Sequence, residues 1–185
     1  PIRLPAASVA LDTSASGLYV ASGQFDGSIA IRKLDTTAST LLTSPNSSDI
    51  ITAVAWAKSA ACNAGDLETG STTSPMLLAS GASSGRILLW DLDLPDAPVH
   101  DVGNVSNGHV DTVRSLRWVV VSGQTKLVSS SFDRTIVVWG LSSSRRLEFE
   151  RELQDQTCPS CHQTAGGNTA HAGGVTATAS VGGLL

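Results

Sequence analysis

The fold is decided by residues 108–139, GHVDTVRSLRWVVVSGQTKLVSSSFDRTIVVW. This stretch opens with a Gly-His pair, contains three apolar runs of strand length, and closes on Trp139. An Asp, Asp133, stands in the turn before the last run. Short runs rich in Val, Ile and Leu, separated by Gly, Ser and Asp, are typical of antiparallel strands. The stretch therefore predicts three consecutive strands of one β-sheet.

The same pattern occurs twice more, upstream. Residues 20–33 and 78–91 each contain a strand-like run, a turn and a second apolar run that align with residues 128–140. The repeats are further apart than the period of about 40–45 residues that is usual for such motifs. In the second repeat the excess lies in residues 58–75, which are rich in Ser, Thr, Gly and Ala and predict a long loop. Internal repetition of this kind indicates an array of equivalent units.

These motifs resemble the WD repeat, which forms one four-stranded blade of a β-propeller. The resemblance implies an all-β fold, a partial β-propeller of four-stranded antiparallel blades, and a scaffold that binds proteins. The predicted units are blade 1 at 1–45, which is divergent, blade 2 at 46–105, and blade 3 at 106–154. An inserted loop at 155–170 and the start of a truncated fourth repeat at 171–185 follow. We therefore expect the chain to be a fragment of a longer propeller.

The resemblance also implies a hydrogen-bonded tetrad in blade 3, formed by His109, Ser129, Asp133 and Trp139. The Asp can accept a hydrogen bond from one ring nitrogen of the His, and the Ser hydroxyl can join the other ring nitrogen to the Trp indole N–H. A Ser, a His and an Asp could also serve a hydrolase, but the sequence has no nucleophile elbow and no evident oxyanion hole. We predict a structural tetrad, no enzyme activity and no cofactor.

The other repeats match the tetrad only in part. Arg32 stands where the first repeat would have its Trp, and Ser84 stands where the second would have its Asp. The partial tetrads consist of Ser22 and Asp26 in the first repeat, Ser80 and Trp90 in the second, and His171 in the fourth. The resemblance further implies a rim of partner contacts, for which the candidates are Asp111, Arg114, Arg117 and Arg134.

A second constellation, CPSCH at residues 158–162, carries cysteines at ligand spacing. The pattern C-x-x-C-H attaches c-type haem, but the surrounding segment offers no pocket for one. Cys158 and Cys161 could hold zinc together with His162 or His171, or could form a redox dithiol. The favoured interpretation is a polar inserted loop that binds no metal. The zinc-binding and redox interpretations stay as alternatives.

Composition limits the function classes. The formal charge is −4, which disfavours direct nucleic-acid binding, and no apolar run approaches the ~18 residues of a membrane helix. Three cysteines are too few for a disulfide framework, so we expect a cytoplasmic or nuclear protein. His100 is expected on the solvent side of an outer strand.

The expected partners are other proteins, within a multi-subunit complex. Residues 108–116 and 126–131, together with the long loops, also resemble the WD-repeat subunit of the Elongator complex. That resemblance implies a narrower alternative function in support of tRNA wobble uridine modification.

Overall fold

A computed structural model describes residues 6–45, 48–57, 76–93, 98–103 and 108–153. These residues form twelve β-strands and no helix, and so contain no helix that could cross a membrane. The strands make three separate four-stranded antiparallel sheets, which confirms the all-β prediction. The predicted long loop at 58–75, the inserted loop at 155–170 and the fourth repeat lie outside the described residues.

Each sheet uses four strands that are consecutive in the chain, so every connection within a sheet is a hairpin. Blade 1 contains β1 (Ser8–Thr13), β2 (Tyr19–Gln24), β3 (Ser28–Lys33) and β4 (Ser39–Thr43). Blade 2 contains β5 (Ile51–Trp56), β6 (Leu77–Ala82), β7 (Ile87–Asp91) and β8 (His100–Asp101). Blade 3 contains β9 (Val113–Val121), β10 (Gln124–Ser131), β11 (Ile136–Leu141) and β12 (Leu147–Glu152).

Blade 2 lies between the other two blades, and this position explains its uninterrupted apolar sequence. One face of β7 packs against blade 1 through Leu88 and Trp90, and the other packs against blade 3 through Ile87 and Leu89. A strand buried on both faces cannot alternate apolar and polar residues. β12 lies at the outer edge of blade 3, where Leu147 is buried and the charged residues that follow are exposed.

The first strands of the three sheets, β1, β5 and β9, lie side by side, and two glycines permit this approach. A Cβ atom on Gly23 would lie 2.6 Å from the Ile51 Cγ2 atom of the next blade, and one on Gly81 would lie 2.5 Å from Val113 Cγ1. These glycines occupy equivalent positions in β2 and β6. Each of the two contacts between the blades therefore depends on a missing side chain at the same point of the first and second repeats.

Two tryptophans tie each first strand to the one before it. The Trp56 indole N–H donates to the carbonyl of Asp12 at 3.2 Å, and the Trp118 indole N–H donates to the carbonyl of Ala55 at 3.1 Å. The Asp12 carboxylate also accepts the backbone N–H of Trp56 at 2.8 Å. Both indoles are 4% exposed, so these bonds are made in the core between blades.

Blades 2 and 3 are also joined at their outer edge, and here the expectation for His100 is wrong. His100 is half-buried, and its Nδ1 accepts the backbone N–H of Leu147 at 2.9 Å. Next to this contact, Arg145 forms an ion pair with the fully buried Asp91 carboxylate. The side chain is partly covered because it accepts a hydrogen bond from the first residue of β12 in the next blade, a contact that an alternating pattern within one strand does not reveal.

Candidate functional site

The structure brings the four predicted tetrad residues of blade 3 into one chain of hydrogen bonds. His109 Nδ1 lies 2.9 Å from Asp133 Oδ2, and His109 Nε2 lies 2.7 Å from Ser129 Oγ. The Trp139 indole N–H donates to Ser129 Oγ at 2.8 Å. The pairing of β10 with β11 places the side chains of Ser129 and Trp139 on the same face of the sheet. The network ties the loop before β9 to both of these strands.

The Asp133 carboxylate is the electrostatic centre of this group. Beyond His109 it accepts the Val110 N–H at 3.1 Å, the Thr135 N–H at 2.9 Å and the Thr135 hydroxyl at 2.6 Å. Burial by itself would raise the pKa of Asp133. The hydrogen bonds from His109 and Thr135 outweigh it and hold the pKa well below its usual value. The side chain is therefore a carboxylate with its oxygens already occupied.

Burial excludes a catalytic use of the Ser-His-Asp set. The His109 side chain is 0% exposed and Ser129 is fully buried. The Ser129 hydroxyl is held between an imidazole and an indole, so it has no open side from which to attack a substrate. A nucleophilic Ser needs access to a carbonyl carbon and a nearby oxyanion site. The arrangement can brace the blade and cannot reach a substrate.

Blade 2 keeps only part of this network. The Trp90 indole N–H donates to Ser80 Oγ at 2.9 Å, which matches the bond between Trp139 and Ser129. Ser84, at the position of the missing Asp, instead donates to Asp49 Oδ2 at 2.9 Å. Asp49 is 3% exposed. A Ser–Asp bond, buried on its Asp side, thus takes the place of the His–Asp bond and holds the turn before β7 to the segment before β5.

In blade 1 the partial tetrad is not joined into a network of this kind. The Ser22 hydroxyl lies 2.8 Å from the Ser8 hydroxyl, across the pairing of β1 and β2. Asp26 accepts both the backbone N–H and the hydroxyl of Ser28, at 3.0 and 2.6 Å, and these bonds lower its pKa. Asp26 therefore stabilises its own turn.

Three of the four predicted rim residues lie together, at the end of the blades that carries the Gly-His loop. We call this the Gly-His end; it holds residues 108–112 and the turns 25–27, 83–85 and 132–134. Asp111 and Arg134 are exposed there, and the Arg114 guanidinium lies over the Phe132 ring at 5.0 Å from its centroid.

Arg117 does not join the other rim residues. It lies further along β9 and lines a cavity of about 210 Å³ with Asp12, Trp56 and Trp118. Asp12 and Trp56 lie at or next to the last residue of β1 and of β5, so the cavity is at the opposite end of these strands. Arg117 is therefore at the opposite end of the blades from Asp111, Arg114 and Arg134.

Two polar residues of these networks were missed by sequence reasoning. Thr135 donates twice to Asp133, and its hydroxyl also lies 2.9 Å from His109 Nδ1. Its signal was available, because Ser28 stands two residues after Asp26 in the same way, and this spacing is typical of an Asx turn. Asp49 had no such signal, since a carboxylate in a loop gives no indication that a neighbouring blade will bury it.

The cysteine constellation stays a prediction. Cys158, Cys161, His162 and the partial-tetrad residue His171 lie outside the described residues. In the part of the chain that the structure describes, no three His, Cys, Asp or Glu side chains form a group that could hold a metal ion.

Comparison with known proteins supports the repeat assignment. No protein-family model matches the chain. WD repeat protein iqw1 of Schizosaccharomyces pombe is 32% identical over 85 residues, which are 45% of this chain and 10% of that protein. The chain thus matches about a tenth of the length of this relative.

Two solved structures share the fold. A chain of the crystal structure of the mitotic checkpoint complex matches with a TM-score of 0.61 and 22% identity over 92% of this chain. The crystal structure of the RRP9 WD40 repeats matches with a TM-score of 0.61 and 19% identity over 84% of it. The matches span 43% and 41% of those chains.

Three stacked four-stranded antiparallel sheets, with their first strands side by side, define a run of β-propeller blades. The blades resemble those of WD-repeat proteins, both in the sequence of the similar protein and in the fold of the two solved structures. Proteins built from such repeats generally act as protein-interaction scaffolds.

Proposed function

We propose that this protein is a non-catalytic scaffold that holds other proteins in a multi-subunit complex. The observation that carries the proposal is the burial of Ser129 and His109, whose hydrogen bonds to each other and to Asp133 make this Ser-His-Asp group a brace. Rigid blades with exposed turns at the Gly-His end are suited to present side chains to a partner. The predicted cytoplasmic or nuclear location belongs to this proposal.

Affinity purification of the tagged full-length protein from its own cells tests the function. We expect partner proteins to co-purify in fixed stoichiometry and to survive a gel-filtration step at moderate salt. Crosslinking with a reagent that joins a lysine of the partner to any nearby residue through a photoreactive diazirine, followed by mass spectrometry, would then place each partner on a surface of the blades. A protein that purifies alone and turns over ester or peptide substrates would overturn the proposal, provided that Ser129→Ala abolishes the turnover.

The identity of the co-purified set tests the narrower alternative. Its support is the resemblance of residues 108–116 and 126–131 to the WD-repeat subunit of Elongator. If the alternative is right, the other Elongator subunits co-purify, and depletion of the protein lowers wobble uridine modification in tRNA. Zinc at less than about 0.2 equivalents in the purified protein would remove the zinc-binding alternative at Cys158 and Cys161.

A further inference from the structure

The turn between β10 and β11 holds an arginine in a backbone conformation that suits glycine. Arg134 has a φ of 72°, whereas the equivalent positions in blades 1 and 2 are Gly27, with φ 81°, and Gly85, with φ 87°. A side chain in this left-handed region is strained for any L-residue, and glycine is not. Two of the three blades thus avoid a strain that the third accepts, and strain of this kind clusters where a side chain has a function.

The Arg134 side chain has no structural role that would explain the strain. The residue is exposed, and within the described residues no hydrogen bond or ion pair holds its guanidinium. Its backbone N–H donates to Ser131 O at 3.3 Å, a turn bond that the glycines of the other turns also make. The guanidinium is therefore presented to the exterior.

Exposed apolar side chains lie in the same two loops as this arginine. Val110 is 86% exposed, more than any other large hydrophobic residue in the described part of the chain, and its backbone N–H is bonded to Asp133. Phe132 is 43% exposed, and its backbone N–H donates to Thr112 O at 3.0 Å. These bonds hold the two loops together, so Val110, Phe132 and Arg134 form one patch, which we call the blade 3 patch.

Charge indicates what the blade 3 patch would bind. Arg134 and the Arg114 guanidinium over Phe132 supply two cations, and a guanidinium can pair with a carboxylate through two hydrogen bonds. The Asp133 carboxylate pairs with neither of them, because its side chain is 6% exposed and its oxygens accept hydrogen bonds from within the blade. Asp111 is exposed in the same loop, and its Oδ1 accepts the Thr112 N–H at 2.6 Å. The outward face thus combines two cations and one carboxylate with apolar surface.

On the basis of the proposed scaffold function, we propose that the blade 3 patch binds a segment of a partner protein in which acidic residues flank an apolar side chain. The apolar residue lies against Val110 and Phe132, and the carboxylates pair with Arg134 and Arg114. Nucleic acid fits less well, because Val110, the most exposed apolar side chain of the patch, offers no surface on which a base could stack.

Fluorescence anisotropy with defined probes tests this inference on the purified protein. The probe is a short fluorescein-labelled peptide in which Asp and Glu flank a Leu-Phe pair. The comparison probes replace its acidic residues by Lys, replace the Leu-Phe pair by Ser-Ser, or are a single-stranded oligouridylate. We expect the acidic–apolar peptide to bind at least about tenfold more tightly than any of the other three, and to weaken as salt is raised.

Matched variants locate the binding. Arg134→Glu should weaken binding about tenfold. Arg134→Gly should weaken it several-fold while the protein becomes no less stable, because glycine relieves the backbone strain. This second variant separates loss of binding from loss of fold. Arg151→Glu, the same charge reversal on the exposed outer strand β12, should leave the affinity unchanged.

Several results would overturn the inference: no binding of the acidic–apolar peptide, equal binding of the Lys peptide or the oligouridylate, or an equal effect of Arg151→Glu. Crosslinks from native partners that avoid residues 109–114 and 132–134 would also overturn it. In that last case the scaffold function would stand, since partners would still be present. If no partner co-purifies at all, the scaffold function itself fails.

Discussion

Removal of the Ser129 hydroxyl is the most direct test of the blade 3 brace. In Ser129→Ala two buried groups lose their partner at once: the Trp139 indole N–H, bonded at 2.8 Å, and His109 Nε2, at 2.7 Å. Blade 2 offers a matched control. The hydrogen bond that the structure gives Ser80 comes from the Trp90 indole, at 2.9 Å.

The magnitudes follow from the number of groups left unsatisfied. Each buried donor or acceptor that loses its partner costs about 1–3 kcal/mol. We therefore expect Ser129→Ala to lower the free energy of unfolding by about 3 kcal/mol, and Ser80→Ala by about half as much. Both serines are fully buried on equivalent strands, so the cavity left by the lost oxygen is the same in the two variants.

Equilibrium urea unfolding, followed by tryptophan fluorescence and circular dichroism, measures the two free energies. Agreement of the two signals and an unchanged dependence on urea concentration would show that the comparison is valid. In a His109→Phe background Ser129 keeps its indole bond and a long bond to the Val137 carbonyl at 3.4 Å, so Ser129→Ala should then cost about as much as Ser80→Ala. Equal costs for the two single variants in the natural background would refute the reasoning, because the imidazole would then add nothing to the brace.

Three further predictions concern Asp133, His100 and Gly81. The pKa of Asp133 is lowered in the folded state, so its contribution to stability is present above the unfolded pKa of about 3.9 and is lost as the pH falls. Asp133→Asn should flatten the decline in unfolding free energy between about pH 5 and pH 3, and an unchanged slope would contradict this. Burial is the main cause that lowers the pKa of His100, and the charge of Arg146 lowers it further, whereas the charges of Asp101 and Glu148 act in the opposite direction. The bond from the Leu147 N–H therefore stabilises the protein fully above about pH 6.5 and is lost as the pH falls through the lowered pKa. His100→Gln still accepts this bond and does not titrate, so it should remove the decline in melting temperature below about pH 6.5. Persistence of the decline would assign it to another group. Gly81→Ala should cost about 1–3 kcal/mol, because the new Cβ atom collides with Val113, and Val113→Ala should recover part of the loss in the double variant; additive costs would show that the two sites do not touch.

The site could be predicted where its signal is local. The Gly-His pair, Ser129, Asp133 and Trp139 stand at fixed offsets within one repeat, and hydrogen-bonding chemistry alone indicates how the four groups can connect. Arg134 was also predicted to contact a partner, but the sequence did not indicate the importance of this residue. Only the backbone shows that Arg134 takes a conformation for which blades 1 and 2 use Gly27 and Gly85.

The sequence determined the all-β class through its apolar periodicity, and its resemblance to the WD repeat implied the four tetrad residues, because both signals lie within one repeat. Tertiary structure alone decided what happens between blades. It joined His100 to the backbone N–H of Leu147 in the next blade and paired the buried Asp49 carboxylate with Ser84. It also placed Arg117 at the opposite end of the blades from Arg114 and Arg134. The physical reason is that these outcomes depend on which faces are stacked and which buried polar groups then need partners, and a period of two residues along a strand does not specify either.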